Sequence, residues 1–354
     1  MSFVEHKECP ADGDTVIVYL NFNLFYALTL KAGETFQTKY GALRHNDVIG
    51  KPYGSRVPVK NGYVHFLWPT PELWTLSLPH RTQILYARDI SLTVFNLDLK
   101  PGSIVIESGT GSGSMTHSLA RAVAPRGKVF TFDFHQQRSE IAQKEFDAHG
   151  LGELVKCAHR DVCADGFGLE GVADAVFLDL PHPWLAVEHA VKALKDSGGR
   201  ICSFSPCIEQ VQKTCDKFRE LRCGEITTLE CLERPYEIKK IQMAKQSGDP
   251  TRGLEYFLGE DGLPFDTTPA SEELKLESAE GLGEEQITKK PRGGKTNGAR
   301  RDPGGDQILT AVPSVNIPGH TGYLTFATFF GRTEANISNC GAVLQDHEGI
   351  PDSS

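Results

Sequence analysis

Glu107, Gly109, Gly111 and Gly113 fall at every second position of the stretch IVIESGTGSGSMTH, residues 104–117. A loop lacking side chains at alternate positions lets a nucleotide-like ligand come very close to the backbone. Three more acids punctuate the chain downstream. Asp133 closes KVFTFDF, Asp161 follows LVKCA in HRDV, and Asp179 closes DAVFLDL. Taken singly, each reads as a helix cap or a turn former. Taken together, they put carboxylates at successive strand ends, the edge where open α/β sheets bind ligands. A carboxylate at Asp133, after the second strand, can accept from both hydroxyls of a ribose.

Positioning these residues requires strands alternating with helices. Strands are expected over 104–108, 128–134, 154–158, 174–180, 200–205, 225–232 and 322–330, and helices over 114–123, 136–149, 184–195 and 207–221. That alternation predicts an α/β fold with a doubly wound, mostly parallel, seven-stranded sheet. Residues 1–68 read instead as a small all-β module, with strands in TVIVYLN, FYALTL, TFQTKYGALRH and GYVHFLW. Residues 69–102 read as a loop and then one helix, with Ile84, Leu85, Ile90, Leu92, Val94, Phe95 and Leu97 on its apolar face and Pro101-Gly102 as its stop. The α/β domain is thus expected over 69–243 and 319–331. The intervening 244–318 has no sustained periodicity, acidic first and then basic and glycine-rich, and is expected to be a disordered insertion. Residues 332–354 read as a flexible tail.

The 354-residue chain carries a net charge of −9, which excludes a protein that holds nucleic acid by its overall field. A nucleic-acid substrate would need a local basic patch or a basic partner. Nine cysteines without a C-x-x-C pair read as reduced core thiols, with no metal site expected. The charged start MSFVEHKECPADGD lacks a secretory core, and the apolar run 16–30 is broken by Asn21 and Asn23, so neither a signal nor a membrane span is expected. Asn336-Ile-Ser338 matches a glycosylation acceptor only by chance on this reading. The expected compartment is the nucleus or the cytoplasm. The cluster Lys289, Lys290, Arg292, Lys295, Arg300 and Arg301 reads as a nuclear-import signal, an RNA tether or a solvated linker.

The dinucleotide fingerprint is G-x-G-x-x-G. Here the spacing is G-x-G-x-G with Ser112 and Ser114 between and after, and an acid precedes it. Acid-x-G-x-G-x-G resembles the first motif of the class I, Rossmann-like, S-adenosylmethionine-dependent methyltransferases. Longer stretches narrow the likeness: PTPELWTLSLPHRTQILY (69–86), ESGTGSGSMTHSLAR (107–121), FHQQRSEIAQKEF (134–146), DVCADGF (161–167), ADAVFLDLPHPW (173–184), GGRICSFSPCIEQVQ (198–212) and GHTGYLTFAT (319–328). These resemble the catalytic subunits of eukaryotic tRNA (adenine-58-N1)-methyltransferases, over about residues 1–240 and 319–330.

The resemblance implies S-adenosyl-L-methionine as cofactor and tRNA as substrate. It implies that Gln83 and Leu85 line the cofactor pocket, with Glu107, Gly109 and Gly111 in the loop beneath. Ser112, Gly113 and Ser114 would contact the methionine end, Asp133 the ribose, and Asp161 and Val162 the adenine, with Arg138 nearby. Asp179 would be catalytic. Relatives often carry Glu at the position of Asp133 and a small residue at that of His182. His182 either touches the target base or faces solvent. The resemblance also implies a related non-catalytic subunit that supplies tRNA-binding surface, in a two-plus-two heterotetramer.

The chemistry asked of such a site is positioning plus electrostatics. A carboxylate accepting from the exocyclic amino group of adenine would push electron density toward N1 and stabilise the charge that develops. It would instead be a general base if it took the proton; the residue type does not separate the two. Trp184 and Phe204 are aromatic candidates near the base, Phe204 reading rather as core. His80 and Arg81 are candidates for phosphate, while His117 and His135 read as helix-surface or capping residues. Cys207 reads as no nucleophile, having no evident base. The rival readings are a methyltransferase with another target, a non-catalytic RNA-binding scaffold, and an NAD-linked oxidoreductase.

Overall fold

The computed structural model describes residues 3, 6–242, 307–314 and 322–332. The expected basic cluster at 289–301 and the tail beyond residue 332 lie outside the described residues.

The first strands are β1 (Thr15–Asn21), β2 (Leu24–Thr29), β3 (Thr35–Thr38), β4 (Gly41–Arg44), β5 (Arg56–Val59) and β6 (Gly62–Leu67). Four of them form an antiparallel sheet in the order β2-β1-β6-β5, while β3 and β4 pair as a separate hairpin. Val16, Val18, Leu43, Val57 and Phe66 fill the core of this module. The stretch TFQTKYGALRH, expected as one strand, is the β3–β4 hairpin. The Thr38 hydroxyl donates to Gly41 O at 2.7 Å and accepts from Tyr40 N, which closes the turn. Strand β5 had no expectation because Pro58 interrupts its pattern. It lies at the sheet edge, where a missing N–H costs nothing.

Residues 69–102 depart from the expected loop and single helix. Helix α1 (Pro71–Ser77) starts with Thr70 as cap and proline in its first turn. It ends at Leu78, which is extended (ψ 150°) because Pro79 follows. An irregular segment runs to Tyr86, and only then does α2 (Ala87–Asn96) begin. Ile84 and Leu85 therefore lie outside any helix, free to serve the segment that covers the glycine loop.

The α/β part is built from β7 (Ile104–Ser108), α3 (Ser114–Val123), β8 (Lys128–Asp133), α4 (Gln136–Ala148), β9 (Val155–His159), α5 (Val162–Asp165), β10 (Ala175–Asp179), α6 (Pro183–Ala193), β11 (Gly199–Ser205), α7 (Ile208–Glu220) and β12 (Gly224–Glu230). Helix α5 is one turn with no periodic signal, set by Asp161, whose Oδ1 accepts from Cys163 N and Ala164 N. The described residues of the range 233–318 form a unit of their own, in which β13 (Tyr236–Gln242) and β14 (Gln307–Pro313) pair as antiparallel strands. Residues 307–313, expected inside the disordered insertion, are thus a strand. Pairing with Tyr236–Gln242, distant in sequence, supplies order that no local pattern announces.

The last strand, β15 (Tyr323–Phe329), returns to the main sheet between β11 and β12. The seven strands run β12-β15-β11-β10-β7-β8-β9, parallel except at β15. Alternate residues of the central strands face two cores. Val105, Ala175 and Phe177 pack with Ile90, Leu119 and Phe146; Ile106, Val176 and Leu178 pack with Ala186, Ala190 and Phe218. Burial on both faces explains the continuous apolar runs. The order reverses between β7 and β10, and this switch point is where a crevice opens beyond the strand ends.

Candidate active site

Strands β7 and β10 end side by side, and the loops that follow touch. Gly109 has φ +97°, and a Cβ there would overlap the backbone carbonyl of Asp179. Only glycine allows both the conformation and the approach. The loop is then pinned from the neighbouring strand: Gly109 N donates to Phe132 O at 2.9 Å, and Gly111 N to Asp133 Oδ2 at 3.0 Å.

From the other side the irregular segment before α2 closes over it. Ser112 Oγ accepts from Arg81 N at 2.9 Å and Thr82 N at 3.2 Å, and Ser114 Oγ donates to Leu85 O at 3.0 Å. The two loop serines are thus engaged with protein backbone as well as facing the crevice.

The resulting cleft is lined by Gln83, Leu85, Gly109, Gly111, Ser112, Ser114, Asp133, Arg138 and Asp179, all expected from sequence. Thr82, Ile84, Thr110 and Met115 join them without having been anticipated. Their signal was adjacency: each neighbours an expected residue.

Four expected residues do not line the cleft. Glu107 is fully buried beneath the loop, its Oε2 accepting from the Thr116 hydroxyl at 2.6 Å. Gly113 turns toward Phe146 rather than outward. Asp161 is the cap of α5, on the same strand-end edge, where Arg160 N donates to Asp133 O. Val162 is packed in the second core.

The three carboxyls differ in their partners and surroundings. Asp133 is compensated: Arg138 lies 3.0 Å from its Oδ1, which also accepts from His135 N at 2.8 Å. Three of the four lone-pair directions of this carboxylate are taken, leaving room on Oδ2 for one hydroxyl rather than the expected two. Burial pushes Glu107 up to about 7, with Asp179 and Asp133 adding to the rise against the opposing Thr116 hydrogen bond. Asp179 is pushed up to about 6 by burial alone. Its side chain makes no hydrogen bond or ion pair with any described residue, so its acceptor capacity faces the cleft unused.

Other sequence candidates are relocated. Arg81 is held by Glu145 in a two-pronged pair at 2.6 and 2.9 Å, which leaves its guanidinium committed rather than available to phosphate. His80 is exposed. His117, expected on a helix surface, is 1% exposed because α3 is covered by α1 and α4 residues. His135 is exposed and makes no capping bond with its side chain. His182 is exposed, with its ring 5.0 Å from that of Trp184, over which Lys213 Nζ sits at 4.7 Å. Phe204 packs against the first core, as expected. Cys207 caps α7 in a box with Gln210.

S-adenosylmethionine suits these residues. Gly109 and Gly111 present backbone to the cleft, and Asp133 retains an open acceptor direction for a ribose hydroxyl. Asp179 stands across the same cleft with no competing partner. Among the described residues, no group of three or more metal-ligating side chains occurs, and no helix is long and apolar enough to cross a membrane.

Comparison with known proteins narrows the reading. The family model described as the tRNA methyltransferase complex GCD14 subunit matches residues 62–329, and one described as TrmI-like N-terminal matches residues 23–57. A tRNA (adenine(58)-N(1))-methyltransferase catalytic subunit of Dictyostelium discoideum is 41% identical, over 90% of this chain and 96% of its own. The Candida albicans protein of the same name is 39% identical over 92% and 98%. Among solved structures, an S-adenosylmethionine-dependent O-methyltransferase from Thermotoga maritima is 26% identical with a TM-score of 0.66, covering 92% of this chain and 97% of that one. The tRNA (m1A58) methyltransferase TrmI from Aquifex aeolicus, 22% identical with a TM-score of 0.59 over 90% and 98%, shares the fold.

Proposed function

The chain belongs to the tRNA methyltransferase complex GCD14 subunit family, and on that premise we propose how its residues divide the work. It is a catalytic subunit of tRNA (adenine-58-N1)-methyltransferase, with S-adenosylmethionine as methyl donor. The observation that carries the residue assignment is the unpartnered Asp179 carboxyl at the switch point of the sheet.

When bound, the donor supplies an already activated methyl group, so the protein's task is to align and polarise the base. Gly109, Gly111, Ser112 and Ser114 hold the donor's methionine portion, with Gln83 and Leu85 on the covering segment. Asp133 accepts from a ribose hydroxyl while Arg138 fixes its orientation. Asp161, on the adjoining strand end, lies on the adenine side of the donor, with Val162 packed in the core behind it. Glu107 acts from beneath, holding α3 to β7 through Thr116 rather than touching the ligand.

Adenine N1 lies on the Watson–Crick edge, so the target base must leave its pairing before reaction. At neutral pH a carboxyl titrating near 6 is about nine-tenths ionised, so Asp179 enters as an acceptor. It takes a hydrogen bond from the exocyclic amino group, raises the electron density at N1, and offsets the positive charge that grows there.

The net charge of −9 supports a shared tRNA-binding surface. We place this chain with a related non-catalytic subunit, two of each, and in the nucleus. The test is methyl transfer from labelled donor to unmodified tRNA, with this chain alone and with that subunit, mapped by reverse-transcription arrest. Arrest at adenine 58 only in the mixture supports the shared surface. Arrest with the chain alone removes the need for a partner, and no arrest at 58 in either case contradicts the target.

A further inference from the structure

Beneath the glycine loop lies a second polar arrangement that the mechanism above does not use. His117 and His149 are both buried, at 1% and 5% exposure, and their rings are hydrogen-bonded to each other, Nε2 of His117 to Nδ1 of His149, at 2.9 Å. The other nitrogen of His117, Nδ1, lies 2.6 Å from the carbonyl oxygen of Gly113. Aromatic rings enclose the pair. Phe3 stands 4.9 and 4.6 Å from His117 and His149, Trp74 stands 5.3 and 4.6 Å from them, and Phe146 lies 5.4 Å from His117. The backbone N–H of Phe3 donates to His149 O at 3.0 Å, tying the start of the chain to the same cluster.

The direction of every proton in this chain is determined by its end. A carbonyl oxygen can only accept, so Nδ1 of His117 must carry the proton. In a neutral ring Nε2 is then bare and accepts from Nδ1–H of His149. Both rings are thus the Nδ1–H tautomer. Burial keeps both neutral, pushing His117 down to about 4 and His149 to about 3.

We propose that this pair is a positioning device for the cofactor loop: His149 orients His117, and His117 holds the Gly113 carbonyl and with it the peptide leading into Ser114. Gly113 is in the left-handed region at φ +76° and caps α3 without a side chain of its own. Its carbonyl receives the backbone N–H of His117 at 3.2 Å, but the ring bond is shorter and comes from a rigid, packed side chain. Ser112 and Ser114 flank this glycine and line the cleft. Losing the ring donor frees the turn on which both sit.

The inference rests on the cofactor reading of the cleft, and its test separates the two. Two conservative variants of the full chain isolate the donor. His117→Asn keeps an N–H near the position of Nδ1, whereas His117→Leu keeps bulk and removes it. Calorimetric titration with S-adenosylmethionine is expected to show about tenfold weaker binding for His117→Leu and near-normal binding for His117→Asn. KM for the donor should rise in parallel, with kcat and KM for tRNA within about twofold of the parent. His149→Leu, which removes only the orienting ring, should weaken donor binding by a smaller factor. Nitrogen-15 spectra of the parent chain should show both imidazoles as Nδ1–H tautomers, neutral at pH 6, whether or not any variant folds. Equal donor affinity in His117→Leu, no rescue by His117→Asn, or an Nε2–H tautomer at His117 would overturn the proposal. A parent chain that binds no donor would instead overturn the cofactor reading.

Discussion

The backbone N–H of Arg81 donates to Ser112 Oγ at 2.9 Å, so the segment between α1 and α2 and the glycine loop form one unit. Thr82 N and the Thr82 hydroxyl converge on the same oxygen, at 3.2 Å each. A single serine thereby satisfies two backbone donors of a stretch that has no helix or strand to satisfy them.

Ser112→Ala therefore strands two half-buried N–H groups. The expected cost is about 1–3 kcal/mol of stability, read as a lower urea midpoint with an unchanged slope. Donor affinity should fall as well, because Gln83 and Leu85 ride on the released segment. Unchanged stability would show that water replaces the hydroxyl at no cost.

Gly109→Ala meets both a positive φ and the carbonyl of Asp179. Strain of this kind costs about 1–3 kcal/mol before the collision is counted. The variant should lose donor binding altogether, in calorimetry, even where circular dichroism shows a folded chain. Normal binding would mean that the two loops are not held in contact.

The pH profile should carry one ionisation near 6 from Asp179. Its ionised form is the active one, so kcat/KM should rise tenfold per unit below that value and level off above about 7. A profile flat down to pH 5 would remove Asp179 from the role of acceptor.

Stability should move the other way. Asp179 and Glu107 have folded-state values raised to about 6 and about 7, so the folded chain holds protons that the unfolded chain has already released. Stability contributed by these protons is present at low pH and declines as pH rises from about 4 to 7. Asp179→Asn removes the strain of a poorly solvated charge. At pH 7.5 it should melt a few degrees higher than the parent, up to about 2–3 kcal/mol of gain, while losing activity. A lower melting temperature would contradict the burial argument.

Much of this site is legible in the amino-acid sequence, and the reason is local. Ile104–Ser108 and Ala175–Asp179 are short apolar runs buried on both faces, ended by an acid or a glycine, and such runs announce themselves. The residues that line the cleft sit directly after them. What stays hidden depends on tertiary cover. His117 looks like a surface residue because α3 begins with polar side chains, yet nearly all of that helix is enclosed. Glu107 looks like a ligand contact because its motif ends at the loop, but strand alternation turns it inward. Arg81 looks like a free cation until α4 brings Glu145 against it. Strand β14 has no pattern of its own and exists by pairing with β13, far away in sequence.

The most direct measurement is turnover of Asp179→Ala set beside its affinity for S-adenosylmethionine. Single-turnover methyl transfer to unmodified tRNA gives the first, and calorimetry on the same preparation gives the second. The expected result is a rate lower by at least about a hundredfold, in keeping with loss of a group that stabilises developing charge, with donor affinity within severalfold of the parent. A near-normal rate would contradict the assignment of Asp179 to the base. Loss of donor binding in step with the rate would assign it to the cofactor instead.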